Sequence, residues 1–205
     1  MKQEIDPKDT NRAIAFELWT KSPMPMVTIT KTFDVTRLRK VSRRRGMKFN
    51  MLLCWCIGRA ASRIEEFYML PQNDKLYRYD RMAVNVIVNN IKGGLSFCDI
   101  SVTDDLEAFN ANYMYLTETI SQTCQDILDE EAVIVGTSAV TGTELDCIVN
   151  QYSGIFNNPF LSWARYRKGW FRTTLPISFQ FHHAQMDGCQ ATRFLEELQK
   201  IINQL

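Results

Sequence analysis

Apolar and polar residues alternate along Val27-Thr28-Ile29-Thr30-Lys31-Thr32-Phe33. A period of two turns one side of a strand toward a core and the other outward, so residues 27–33 are read as a half-buried strand. The alternation returns over residues 175–182. Shorter runs at 76–79 and 82–89 read as two strands joined by a turn, and 94–102 reads as a third. Residues 132–149 hold strand-like segments interrupted by Thr141-Gly142-Thr143.

Other stretches follow a helical period. Leu106, Phe109, Tyr113 and Leu116 are spaced by three or four within an amphipathic helix expected over 104–130. A long helix is expected over 50–67, apolar as far as Ala61 and therefore buried. Residues 9–20 read as a short helix with Ile14, Leu18 and Phe16 on its apolar side, broken by Ser22-Pro23-Met24-Pro25. Asp34-Val35-Thr36 caps a basic helix holding Leu38 and Val41. Residues 188–202 form a closing helix with Thr192, Leu195, Leu198 and Ile201 on one side. No linker, repeat or low-complexity tract interrupts this order. Strands separated by both short turns and long helices predict one α/β domain over 1–205, a two-layer sandwich with a mixed sheet.

Composition narrows the picture. A chain of 205 residues, 45% hydrophobic and 23% charged, can bury a substantial core without disulfides or metals. A net charge of +1 gives no electrostatic reason to expect a nucleic-acid or membrane partner. The run Arg43-Arg44-Arg45 reads as a solvated face near a helix C-terminus, where the dipole favours cations. The N-terminal residues lack a signal-type apolar region, and the longest apolar run, residues 51–57, is too short to span a bilayer. The expectation is a soluble cytoplasmic protein. Of the six cysteines, most are expected as buried reduced thiols. Cys54 and Cys56 point to different helix faces, and two adjacent histidines complete no zinc pattern, so no metal is expected.

Those histidines, His182 and His183, sit where a strand ends and a helix begins. A neutral imidazole takes a proton near pH 7, so either is a candidate base. In a strand their rings point to opposite faces. Asp187 lies four residues beyond His183, about 13 Å away if the backbone stays extended, so contact would need a tight turn. Asp187 could instead cap the last helix. By spacing alone, a packed core histidine and a helix cap fit slightly better than a catalytic pair.

The wider segment Leu175-Pro176-Ile177-Ser178-Phe179-Gln180-Phe181-His182-His183-Ala184-Gln185-Met186-Asp187-Gly188 resembles the L-P-[LI]-S-x-Q-x-H-H-A-x-x-D-G signature of the type A chloramphenicol acetyltransferases. Likeness extends to Arg12 and Phe16, to residues 28–36, to Met47-Lys48-Phe49 and to Ala164-Arg165-Tyr166. The resemblance implies a CoA-dependent acyltransferase fold and acetyl-CoA as co-substrate, with no metal. It implies that His183 takes a proton from a substrate hydroxyl, which attacks the thioester to give a tetrahedral oxyanion. His182 would be packing. Arg12 and Asp187 are implied as a buried ion pair holding the loop.

The resemblance further implies a homotrimer with active sites at subunit interfaces. Cys147 falls where the family has an oxyanion-binding serine, and a thiol is a weaker donor. Ser162 replaces a threonine that helps bind a water near the oxyanion. Trp19, Pro25 and Val27 would line the acceptor pocket in place of tyrosine, cysteine and phenylalanine. Lys48 and Arg165 match basic positions near the adenosine and phosphate end of CoA, each equally readable as a solvated charge. The implied activity is O-acetylation of chloramphenicol or a similar small molecule. Two other readings are an acyltransferase core like that of the 2-oxoacid dehydrogenase complexes and a non-catalytic homologue. The first group usually carries D-H-R-x-x-D-G, and Cys147 is the best support for the second.

Overall fold

The alternating run near the C-terminus becomes a central strand of the main sheet. A computed structural model describes residues 1–205. It contains ten strands: β1 (Lys2–Ile5), β2 (Met26–Asp34), β3 (Met69–Gln72), β4 (Lys75–Tyr79), β5 (Met82–Asn89), β6 (Leu95–Ser101), β7 (Val133–Val140), β8 (Phe160–Ala164), β9 (Arg167–Lys168) and β10 (Thr173–His182). Five helices accompany them: α1 (Ala13–Trp19), α2 (Thr36–Arg45), α3 (Phe49–Ala61), α4 (Leu106–Thr123) and α5 (Gly188–Gln204).

The main sheet runs β2-β10-β8-β7-β5-β6, with β9 pairing onto β10. It is mixed: β5–β7 and β7–β8 are parallel, the other pairs antiparallel. A separate small sheet runs β1-β4-β3. Register places Thr30, Ser178, Ser162 and Ser138 in one row across four strands.

Helices α2, α3, α4 and α5 pack on one face of the main sheet and against one another. Leu175, Ile177, Phe179 and Phe181 of β10 are all fully buried on that side. Phe179 stacks on Phe67 at 5.8 Å and meets Phe194 of α5 at 4.7 Å. Full burial of each such side chain contributes about 1.5–3 kcal/mol. Residues between β7 and β8 cross the opposite face. There the Ile148 amide donates to Ser178 Oγ at 2.9 Å, and Gln180 Nε2 donates to the Asn150 carbonyl at 2.8 Å. Both faces of β10 are therefore covered, although its pattern predicted one wet side.

Several expected boundaries move. The helix over 50–67 stops at Ala61, where Ser62-Arg63 end the apolar run, and residues 65–68 form a separate 3₁₀ turn that carries Phe67 into the core. The helix over 104–130 stops at Thr123, because Cys124 adopts a left-handed backbone (φ 57°) and Ile127 then bridges to β6. The helix over 9–20 begins only at Ala13, and its expected apolar side is outward, with Ile14 75% and Leu18 64% exposed. Residues 76–79 and 82–89 do not pair, since β4 and β5 belong to different sheets. No strand follows β7 within 141–149. On α5, Thr192 is exposed and Ala191 and Phe194 are buried instead. Only Cys54, Cys56 and Cys98 are buried; Cys147 and Cys189 are exposed.

Candidate active site

Strand β10 ends at His182, and a tight turn follows. The amides of Gln185 and Met186 return to the His182 carbonyl at 2.9 and 3.3 Å. The turn delivers Asp187 to the start of α5, where its carboxylate accepts the Cys189 amide at 2.9 Å and completes a capping box with Gln190.

The two histidines have different surroundings. His182 is 1% exposed, and its Nδ1 accepts the Ala184 amide at 3.1 Å. Burial, with the neighbouring His183 charge, pushes its pKa down to about 4. It is a neutral, packed acceptor. His183 is anchored through its backbone, its amide donating to the Pro25 carbonyl at 2.8 Å. Its imidazole lies flat on the Trp19 indole, with centroids 4.7 Å apart and planes 3° from parallel. Its Nδ1 is buried and has no hydrogen-bond partner.

Arg12, just before α1, reaches this turn with three donors. Nη1 meets Asp187 Oδ2 at 3.0 Å, Nη2 the His183 carbonyl at 3.0 Å, and Nε the Ala184 carbonyl at 3.4 Å. The expected ion pair is thus present, but only one partner is buried: the side chains are 4% and 42% exposed for Arg12 and Asp187. Burial alone would raise the Asp187 pKa. The Cys189 amide, the bond and charge of Arg12, and the His183 charge together hold it below the usual carboxylate value.

Trp19 and Pro25 both touch His183. Val27 sits opposite Phe181 in the sheet and packs against the hydrophobic core. Ser162 is 1% exposed, and its hydroxyl bonds Asn150 Oδ1 at 3.0 Å. Asn150 Nδ2 is buried without a partner. Cys147 lies exposed in the segment after β7, not on a strand, two positions before Val149. Sequence reasoning missed Ser178, Gln180 and Asn150, which form a polar seam behind β10. Their signal was present in part, as the polar half of the β10 alternation.

Lys48 and Arg165 are brought together elsewhere, in a cleft of about 650 Å³ that also has Phe49, Tyr166, Lys168 and Glu144 on its walls. Arg165 is fixed by donating to the Thr141 carbonyl at 3.2 Å and to the Gly142 carbonyl. Three cations and one carboxylate give the cleft a positive balance, suited to phosphate groups. His183 is not on its walls. Ser162, paired with Ser178 of β10, lies on β8 three residues before Arg165.

A solved chloramphenicol acetyltransferase has the same fold, with a TM-score of 0.83 and 19% identity over 98% of this chain and 100% of that one. The truncated catalytic core of a 2-oxoacid dehydrogenase multienzyme complex from Thermoplasma acidophilum follows at a TM-score of 0.67 and 18% identity, covering 98% of each chain. The architecture is that of the CoA-dependent acyltransferases. Residues 2–199 match the family model described as chloramphenicol acetyltransferase, so the chain belongs to that family. Chloramphenicol acetyltransferase 2 of Escherichia coli is 27% identical over 202 residues, 95% of this chain and 94% of the relative. Membership places the chain among the acetyl-CoA-dependent O-acetyltransferases.

Proposed function

We propose that the chain, as one acyltransferase domain spanning 1–205, moves an acetyl group from acetyl-CoA to a hydroxyl of chloramphenicol or a similar small molecule, with His183 as general base. The observation that carries this reading is the fixation of His183 from three directions. Pro25 holds its amide, Arg12 holds its carbonyl, and Trp19 holds its ring. A base fixed this way loses little freedom when an acceptor arrives. With Nδ1 buried, Nε2 is the nitrogen offered to the hydroxyl. The hydroxyl oxygen attacks the thioester carbonyl as its proton passes to His183. The tetrahedral oxyanion collapses to ester, and the proton goes to the departing thiolate. His182 is excluded from the role by its burial and weak basicity.

Arg12 and Asp187 are positioning residues that hold the turn carrying the imidazole. Cys147 and Ser162 are assigned to the oxyanion side, directly and through water respectively, with the thiol the weaker donor. Lys48 and Arg165 are assigned to the phosphates of acetyl-CoA, which the positive balance of their cleft supports. Trp19, Pro25 and Val27 are assigned to the acceptor side. A homotrimer with shared active sites is part of the proposal, supported by the exposure of Ile14, Leu18, Val149, Ile155 and Phe156 on the isolated chain. A cytoplasmic place follows from the donor, an intracellular metabolite. A cell carrying such an activity toward chloramphenicol would resist it.

The test is release of free CoA thiol from acetyl-CoA over a panel of hydroxylated antibiotics including chloramphenicol. His183→Ala should abolish release while circular dichroism stays unchanged. Equal turnover by wild type and variant would sink the assignment of the base.

A further inference from the structure

The turn between β9 and β10 carries two aromatic side chains in open solvent: Trp170 is 99% and Phe171 92% exposed. They are the two tip residues of a hairpin closed by the Gly169 amide on the Arg172 carbonyl at 2.7 Å. Two such side chains offer roughly 300–500 Å² of surface, within the size range of exposed apolar patches that are often functional.

Cations border the hairpin. Lys168 and Arg172 flank its tip directly. At the base of the hairpin, the Thr173 amide donates to Thr36 Oγ1 and the Val35 amide donates to the Thr173 carbonyl, both at 2.8 Å. These bonds seat the first turn of α2 beside the hairpin. Helix α2 has six basic residues among ten and no acidic one. The guanidinium of Arg39 lies 5.8 Å from the Tyr166 ring, at the cleft beside the hairpin. Acidic groups offset part of this charge: Asp34 faces Arg172 at 3.7 Å, Asp146 and Glu144 hold Arg167, and Glu107 pairs with Arg45. Arg37 donates to the Leu205 carbonyl. Lys168, Lys40, Arg43 and Arg44 are exposed and form no ion pair within the chain, whereas Arg39 is half-buried against Tyr166.

We propose that the Trp170-Phe171 tip and the neighbouring cations of α2 dock the protein on an anionic lipid bilayer. The aromatic rings enter the boundary between headgroups and acyl chains, and the cations meet lipid phosphates. Charge complementarity and area favour this occupant. A stable interface with a second copy needs about 800 Å² on each partner, more than a two-residue tip provides. Single-stranded nucleic acid needs a groove along which successive bases stack, whereas these rings stand on a projecting turn.

The test is co-sedimentation with vesicles of phosphatidylcholine alone or mixed with phosphatidylglycerol, at low and high salt. Trp170 is far more exposed than the other three tryptophans, so its emission should shift to the blue on binding. Binding should require phosphatidylglycerol and weaken with salt. The double variant Trp170→Ser, Phe171→Ser should partition at least tenfold less, while acetyl transfer in solution stays within about twofold. Arg172→Ser should also weaken partition. The proposal is overturned if phosphatidylglycerol vesicles bring down no protein, if they bind no better than phosphatidylcholine, or if the double variant sediments like wild type. It is also overturned if the aromatic pair is needed only for oligonucleotide binding or for self-association.

Discussion

The indole of Trp19 and the imidazole of His183 stack face to face, 4.7 Å between centroids and 3° from parallel. No hydrogen bond orients the His183 Nδ1, so this stack and the anchored backbone set the ring's direction. Trp19→Ala should lower kcat/KM for the acceptor by roughly ten- to a hundredfold, through the lost stack and a loosened base. Trp19→Phe should stay within about tenfold of wild type. Steady-state kinetics at saturating acetyl-CoA checks both; an unimpaired alanine variant would mean the ring is held by other contacts.

Arg12 satisfies two backbone carbonyls as well as Asp187, whereas Asp187 is 42% exposed. Breaking a fully buried pair costs about 3–5 kcal/mol, and this half-wet pair should cost less. Arg12→Ala should therefore destabilise by about 2–4 kcal/mol, and Asp187→Asn, which keeps the helix cap, by about 1 kcal/mol. Urea midpoints measure the order of the two. Both variants should lower turnover more than substrate affinity.

His182 makes stability fall on mild acidification. Its folded pKa is depressed to about 4 from an ordinary 6.5, so the unfolded chain takes up a proton that the fold refuses. The contribution is complete above about pH 6.5, is lost as pH falls toward 4, and amounts to about 3 kcal/mol. His182→Gln should flatten this part of the stability–pH profile. Thermal unfolding between pH 7 and pH 4 reads it directly.

Gly136 is opposite Phe160 on the neighbouring strand, and a Cβ there would stand 2.3 Å from a Phe160 ring atom. Gly136→Ala should cost about 1–3 kcal/mol by pushing that ring aside. Because β8 also carries Ser162, turnover should drop along with the denaturation midpoint.

Cys147→Ser tests the oxyanion assignment. A hydroxyl is a better donor than a thiol, so turnover should hold or rise, by as much as about 10²-fold if donation is limiting. A collapse in activity would show that the thiol has another task.

Much of the architecture was legible because it is local. The alternation of residues 27–33 and 175–182 marked β2 and β10, and the spacing of Leu106, Phe109 and Tyr113 marked α4. Strand β8 escaped because Phe160-Leu161-Ser162-Trp163-Ala164 lacks alternation, being covered on both faces. The end of α4 escaped because the sequence shows no glycine at the left-handed Cys124. For the site, the histidine segment was visible as a family resemblance, while its spacing alone slightly favoured a packed histidine.

What the sequence by itself determined is the helices and the alternating strands β2 and β10, the family, and which side chains bear chemistry, since periodicity and motif are properties of neighbouring residues. The tertiary structure decided which distant residues meet. It laid Trp19 on His183, and it left Asp187 half-exposed in the Arg12 pair that the resemblance implied as buried. It also set the aromatic hairpin beside α2 in a chain whose net charge is only +1. A sum of charges carries no positions, and burial depends on what the rest of the fold places alongside.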